Sequence, residues 1–469
     1  MNVTPYRRVA RATCTESADL ALDRDKNFAE LVDRLELPVI LPIALVTQGI
    51  VITGFERPGP LSEYEVLIGL AIIIVFGVAA QVIANRLRLP GVLVLLVAGF
   101  IAGPATGILD PDELFGELLF PGVSLTVGLL LFDGGLNLRF REIKAYNSVI
   151  FRLVTVGVLI TWAIGSVVVS LVTDLDTTTS MLAGAILIVS GPTVVIPILR
   201  RIMPDPPSGE ILEWEGILID PIGATIGVVM LGVVIGEKTA GAAATAIVRI
   251  LASGVGVGIV LVVFAIWFLA RVNLPAVLRA PTALALAVAA FTVSNLLAPE
   301  SGLFATTVFG LGLANQRRTP VDDIRTFEEG VGVLAIGSLF VVLGARMPLQ
   351  AVIDNLVPGL IILAALVLIA RPLAVLASVA GSSGITKSDT LFMMALAPRG
   401  IVAAASAAVF ALELDDEGIV GGETLISLTF VVIIGAGVIY GLGAGPAGRY
   451  LGVVPKTPQT SKPPAEVNT

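Results

Sequence analysis

From residue 66 to residue 442 the chain is a succession of apolar runs parted by short segments that hold nearly all of its charges. The runs fall at 66–86, 90–107, 120–137, 151–172, 180–202, 213–235, 246–270, 281–298, 302–315, 330–347, 356–379, 388–411 and 422–442. Most have the roughly 17–25 residues that a helix needs to cross a bilayer. They do not alternate apolar and polar positions over about ten residues, as the strands of a membrane barrel do. The pattern therefore predicts an all-α, polytopic membrane protein of about 13 transmembrane helices. The ninth run is short and reads as tilted or irregular.

The segments between the runs set an orientation. One alternate set carries Arg86 and Arg88, then Arg139, Arg141, Lys144 and Arg152, then Arg200 and Arg201, Arg271 and Arg279, Arg317, Arg318 and Arg325, Lys387, and finally Arg449 and Lys456. The other set holds Lys238 and Arg346 and is otherwise acidic. Basic loops stay on the cytoplasmic side, so the C-terminus is expected in the cytoplasm and the protein in the plasma membrane. Residues 1–62 form an N-terminal segment whose apolar stretch, 37–54, reads either as an extra span or as an interfacial segment. The transmembrane part is placed at 63–445. The tail, 446–469, is rich in Pro, Thr and Lys and reads as a disordered linker.

Composition narrows the chemistry. The chain is 56% hydrophobic and 14% charged, far from the balance of a soluble domain. A single cysteine, Cys14, excludes an internal disulfide. There is no histidine, so proton chemistry near neutral pH falls to carboxylates. No Walker or dinucleotide-binding motif stands in the polar segments, which argues against ATP-driven transport. No Ser–His pair is available and no metal-ligand cluster appears, so the chain does not read as an enzyme. No resident cofactor and no nucleic-acid partner is expected. The lipid bilayer is its surroundings.

Two of the runs are interrupted in mid-membrane. The fifth contains Ser190-Gly191-Pro192-Thr193 and Pro197; the twelfth contains Pro398-Arg399-Gly400. Pro192 has no N–H, so the carbonyl of Ile188 loses its helical partner; Pro197 does the same to Thr193 and Pro398 to Met394. Freed backbone at membrane depth is tolerated only where protein or water covers it. With 246–270 as a linker, 66–235 and 281–442 are two six-helix halves, and each break lies in the fifth helix of its half. An even number of helices plus a linker span inverts the second half. That is the pattern of inverted-repeat secondary transporters, whose sites lie where broken helices cross.

The sixth run supplies acids. Asp220 begins an uncharged stretch and is followed by Pro221, which is expected to bend the helix. Glu215, five residues earlier, lies about 140° around the helix, so the two have separate roles. Arg399 is about twelve residues from either end of its run and needs a counter-ion. Glu215 is the best-placed one; the alternative is that Glu215 ligates the transported ion. Asp133 is a further acid inside the membrane, read either as a secondary acid or as a helix-end group beside Arg139. Arg371 is expected to snorkel or to meet a loop acid, and Arg346 to lie at the interface.

At this point the chain resembles the sodium–proton exchanger branch of the monovalent cation:proton antiporters, over about 66–445. Phe132-Asp133-Gly134-Gly135-Leu136 is similar to the third-span segment of that branch. Ser190-Gly191-Pro192 stands where the branch has Thr-Asp-Pro, and Glu215 to Asp220 where it has Glu-Ser-x-x-Asn-Asp. Pro398-Arg399-Gly400 matches the arginine-glycine of the twelfth span. The resemblance implies a homodimer with a dimerisation domain and a moving core, Asp220 as the transport carboxylate, and an internal Glu215–Arg399 pair. Three side-chain oxygens of that branch are missing, at Gly191, Gly216 and Ile219. The ion site is then Asp220 with Ser190, Thr193, carbonyls near Ser190 and Gly191, and water. Such a site leaves open whether sodium or potassium is the substrate. The reading is alternating-access exchange of Na+ or K+ for H+, electroneutral because one carboxylate holds one charge. The rivals are an ion channel and an ion or pH sensor on the same scaffold.

Overall fold

The computed structural model describes residues 62–454, apart from 88, 237–239, 273, 319 and 398. The apolar stretch 37–54, Pro398 and the end of the tail lie outside the described residues, as do the side chains of Pro192 and Thr193. Among the described residues every regular element is helical. Helix α1 (Glu63–Leu87) has Glu63 and Glu65 in its first turn and Arg86 in its last, the order the helix dipole favours. Helix α2 (Gly91–Phe100) runs into a π turn at Ile101–Ala105 that contains Pro104. Helix α3 (Leu119–Asn137) follows a short segment capped by Asp110, whose side chain accepts from the N–H groups of Asp112 and Glu113. Helix α4 (Val158–Val172) is entered through Asn147–Arg152 and a π turn at Leu153–Gly157.

The fifth interval of the sequence is two helices, α5 (Thr177–Ile186) and α6 (Pro192–Ile202). After it come α7 (Ser208–Val234), α8 (Ala240–Arg271), α9 (Ala276–Leu297) and α10 (Ser301–Asn315). Helix α11 (Asp322–Ala345) is followed by α12 (Leu356–Ala365), which passes through a π turn at Leu366–Ala370 into α13 (Arg371–Val379). The twelfth interval is again two helices, α14 (Lys387–Met394) and α15 (Ile401–Asp416), and α16 (Gly422–Leu451) closes the bundle. Nine helical stretches among the described residues are long and apolar enough to cross a membrane. The other predicted intervals fall on shorter or broken helices: Gly91–Ala105, the α5/α6 and α14/α15 pairs, and Ser301–Asn315.

Two expectations about proline are corrected. Pro197 and Pro221 do not interrupt their helices; α6 and α7 run through them. A single lost N–H leaves the neighbouring ladder intact, and the packing around a buried helix holds it straight enough to continue. Among the described residues of the fifth and twelfth intervals, the helix opens at 187–191, 395–397 and 399–400. The boundary drawn at 445 is also corrected, since α16 continues through Pro446 to Leu451.

The π turns were not legible in the sequence. One falls in the second interval; the other two fall in the fourth and eleventh intervals, the fourth helix of each half, and the elements that carry these two pack against each other. Helix α7 lies at the centre: it is the most deeply buried spanning helix among the described residues. It packs against α5, α6, α8, α14 and α15. This places the acids of the sixth interval against both breaks.

Candidate functional site

The site begins with the crossing of the two breaks. Helix α6 starts at Pro192 with Gly191 as its N-cap, and α15 starts at Ile401 with Gly400 as its N-cap. Neither cap uses a side chain. The backbones touch. A Cβ on Gly400 would stand 2.4 Å from the nitrogen of Gly191 and 2.7 Å from its Cα. Glycine at 400 is therefore a packing requirement. Two helix N-termini, each the positive end of a peptide dipole, meet at this point.

The opposite ends of the breaks are satisfied by two buried arginines, each 6% exposed. Arg399 Nη1 donates to the carbonyl of Ile188 at 2.8 Å, the carbonyl freed by Pro192. Arg371 Nε donates to the carbonyl of Met393 at 2.8 Å, at the end of α14. Each broken helix thus ends on a guanidinium, and each guanidinium comes from elsewhere in the chain. Such donors answer the negative end of the helix dipole as well as the orphan carbonyl.

The ion pair expected between Glu215 and Arg399 is not formed. Glu215 pairs instead with Arg371: Nη1 donates to Oε1, and Nη2 donates to Oε2 at 2.9 Å. The reason is geometric. Residue 371 follows the π turn that ends at Ala370, and there the planar fork of Arg371 meets both carboxylate oxygens while its Nε keeps Met393. Arg399 faces the carbonyl of Ile188 instead. Arg371 neither snorkels nor meets a loop acid. Arg346 does reach a loop acid, Asp112, at 2.8 Å. Thr161, Ser190, Glu215, Ile219, Arg371 and Arg399 line one small polar cavity beside the crossing.

Asp220 is completely buried, and neither of its carboxylate oxygens has a hydrogen-bond partner in the protein. It does not line the polar cavity. Its position on α7 is set by glycines one turn either way, Gly216 four residues before and Gly223 three residues after, which share its face. A Cβ on Gly216 would come within 3.0 Å of the Val195 side chain, and one on Gly223 within 2.5 Å of Val189 Cγ2. The face that carries Asp220 is therefore pressed onto the break and the start of α6. A buried carboxylate without donors is costly to keep charged. Ser190 and Gly191 are buried in the same break.

Asp133 sits near the end of α3, half-buried, with Oδ1 buried and unpartnered. Its electrostatic neighbours are Arg200, Glu329, Arg325 and Glu328, not Arg139. One residue was misassigned and one missed in the sequence. Arg371 was expected to snorkel or to meet a loop acid, although Pro372 beside it marks a helix start. Glu328 was left outside the tenth interval, but α11 begins at Asp322 and carries it inside. Among the described residues no three His, Cys, Asp or Glu side chains group as a resident metal site would require.

Comparison with known proteins bears on the family and the fold. The chain is 28% identical over 359 residues to Na(+)/H(+) antiporter 1 of Methanocaldococcus jannaschii, covering 74% of this chain and 83% of that one. It is 27% identical over 389 residues to the K(+)/H(+) antiporter NhaP2 of Shewanella sp. (strain MR-4), covering 82% and 66%. Its fold is similar to that of the sodium proton antiporter MjNhaP1 from M. jannaschii at pH 8, with a TM-score of 0.73 at 24% identity, over 82% of this chain and 99% of the other. Residues 70–449 match the family described as sodium/hydrogen exchanger, transmembrane, and the chain belongs to that family of multi-pass membrane proteins.

Proposed function

We propose that the protein exchanges a monovalent cation, Na+ or K+, for a proton by alternating access, with Asp220 carrying the two in turn. The observation that supports this is the state of Asp220: fully buried in the central helix, on the face pressed against the broken fifth interval, with no protein donor to either oxygen. Such a carboxylate binds a proton or a cation and not both, which couples the two fluxes at one site. The cation would complete its shell with the backbone of the break at Ser190 and Gly191, and with water. Arg371, Glu215 and Arg399 do not carry the ion. They hold the opened ends of the broken helices, and Glu215 is thereby withdrawn from ion coordination.

The basic ends of the helices face the cytoplasm in this reading, in the plasma membrane, with the C-terminus on the same side. A homodimer, implied by the family resemblance, accords with the many large apolar side chains exposed along α1 and α8. The test is exchange in proteoliposomes with a trapped pH dye, adding sodium, potassium or lithium in turn. Wild type should move protons with at least one cation. Asp220→Asn should insert and fold but show no cation-driven proton movement. Exchange near the wild-type rate in the purified variant would overturn the assignment.

A further inference from the structure

A second group of buried carboxylates lies away from the crossing, at the basic end of α3 and α11. Glu328 is 1% exposed, and its Oε1 is buried without a hydrogen-bond partner. Asp133 Oδ1 is in the same condition. The two acids lie within electrostatic reach of one another. Asp133 leans over α11 at Gly332, where a Cβ would stand 3.6 Å from its Oδ2. Gly332 is one turn beyond Glu328, on the same face.

The surrounding charges do not balance this pair. Arg200, at the end of α6, is within electrostatic reach of Asp133 but bridges Glu329 at 3.0 Å. Those two neutralise each other. Arg325 is also within reach of Asp133, and its Nη2 donates to the carbonyl of Leu136 at 2.7 Å. On α9, Arg279 is engaged by Asp323 at 3.3 Å. From α1 the facing group is Gln81, an amide that donates to the carbonyl of Val333. Arg325 is thus the cation left to Asp133, and Glu328 has none of these cations acting on it. One negative charge is left over in a place where Glu328 Oε1 is buried and no protein donor reaches it. Two adjacent carboxyl groups in that position hold one proton between them, or a cation in its place.

We propose that Asp133 and Glu328 form a second ion site, which holds one proton between the two carboxylates and exchanges it for a monovalent cation. On the proposed orientation this site faces the cytoplasm. It joins α3 to α11 beside the Arg200–Glu329 bridge, which ties α6 to α11. The proposal rests on the exchange reading for the identity of the cation, not for the existence of the site.

The experiment uses purified full-length Asp220→Asn in detergent, weakly buffered with a pH dye, to which potassium or sodium chloride is added. With the central carboxylate removed, cation addition should still release protons, approaching one per protomer. Glu328→Gln in that background should lose the release, and Glu328→Asp should keep it. Asp133→Asn should lose it too, because the site needs both carboxylates to exchange a shared proton for a cation; this variant decides the matter if the glutamine variant does not fold. No release from Asp220→Asn, or equal release after Glu328→Gln and Asp133→Asn, would overturn the site. The exchange reading fails separately, if Asp220→Asn transports in liposomes.

Discussion

The pairing of Glu215 can be tested by a reversal of sign between two double mutants. Arg371→Ala removes both bonds to Glu215 and the bond to the Met393 carbonyl. It leaves a buried carboxylate without a partner, a loss of about 3–5 kcal/mol. The orphaned carbonyl adds about 1–3 kcal/mol. Adding Glu215→Ala removes the abandoned charge, so the double variant should be more stable than Arg371→Ala alone. Arg399→Ala is different, since its single bond in this structure goes to the Ile188 carbonyl. It should lose about 1–3 kcal/mol, and adding Glu215→Ala should make matters worse, because Arg371 is then abandoned. The assay is equilibrium unfolding of the purified protein by SDS in mixed micelles, read by tryptophan fluorescence. Rescue of Arg399→Ala by Glu215→Ala, with none for Arg371→Ala, would refute the assignment and restore the pair expected from the sequence.

Other outcomes follow from the same geometry. Gly400→Ala should destabilise the crossing by about 1–3 kcal/mol or more, because its Cβ meets the backbone of Gly191 and not a movable side chain; unchanged unfolding and exchange would contradict the contact. In liposomes the apparent cation affinity should weaken as pH falls, since protonation of Asp220 removes the charge that binds the cation; initial rates over a cation series at several pH values measure this. Exchange should be electroneutral if Asp220 alone carries charge. A sustained current on a supported membrane after a cation jump, lost in Asp220→Asn, would show that a second group moves with it.

How much could be read in advance depended on whether the signal was local. The spans and the two breaks were legible, because apolar length and a mid-run Gly-Pro or Pro-Arg-Gly are properties of short stretches. The orphaned carbonyl of Ile188 was legible for the same reason. Its donor was not, because Arg399 reaches it from 211 residues away. The choice between Arg371 and Arg399 as partner of Glu215 was illegible for a related reason. It depends on how residues 156 positions apart come together, and no short stretch of sequence carries that. Pro197 and Pro221 were over-read: a proline states that one bond is missing, and the surrounding packing decides whether the helix opens. Glu328 was missed because an apolar run marks where a helix enters lipid, and α11 begins earlier than its run.

The two guanidiniums have a mechanical consequence. Arg371 joins the end of α14 to α7 through Glu215, and Arg399, just before α15, joins that break to the end of α5. The glycines beside Asp220 press α7 onto α6. These bonds tie both broken pairs and the central helix into one block, so Asp220 cannot move far relative to the crossing without breaking buried charge-assisted contacts. Access from one side and then the other is therefore expected to come from motion of that block against the helices around it. At the basic end, Arg200 on α6 meets Glu329 on α11 through a solvent-exposed bridge, which contributes about 0–1 kcal/mol. A contact of that size can form and break during a cycle; the Glu215–Arg371 pair cannot. The placement of strong, buried bonds within the block and a weak, exposed one at its edge is what a moving core requires.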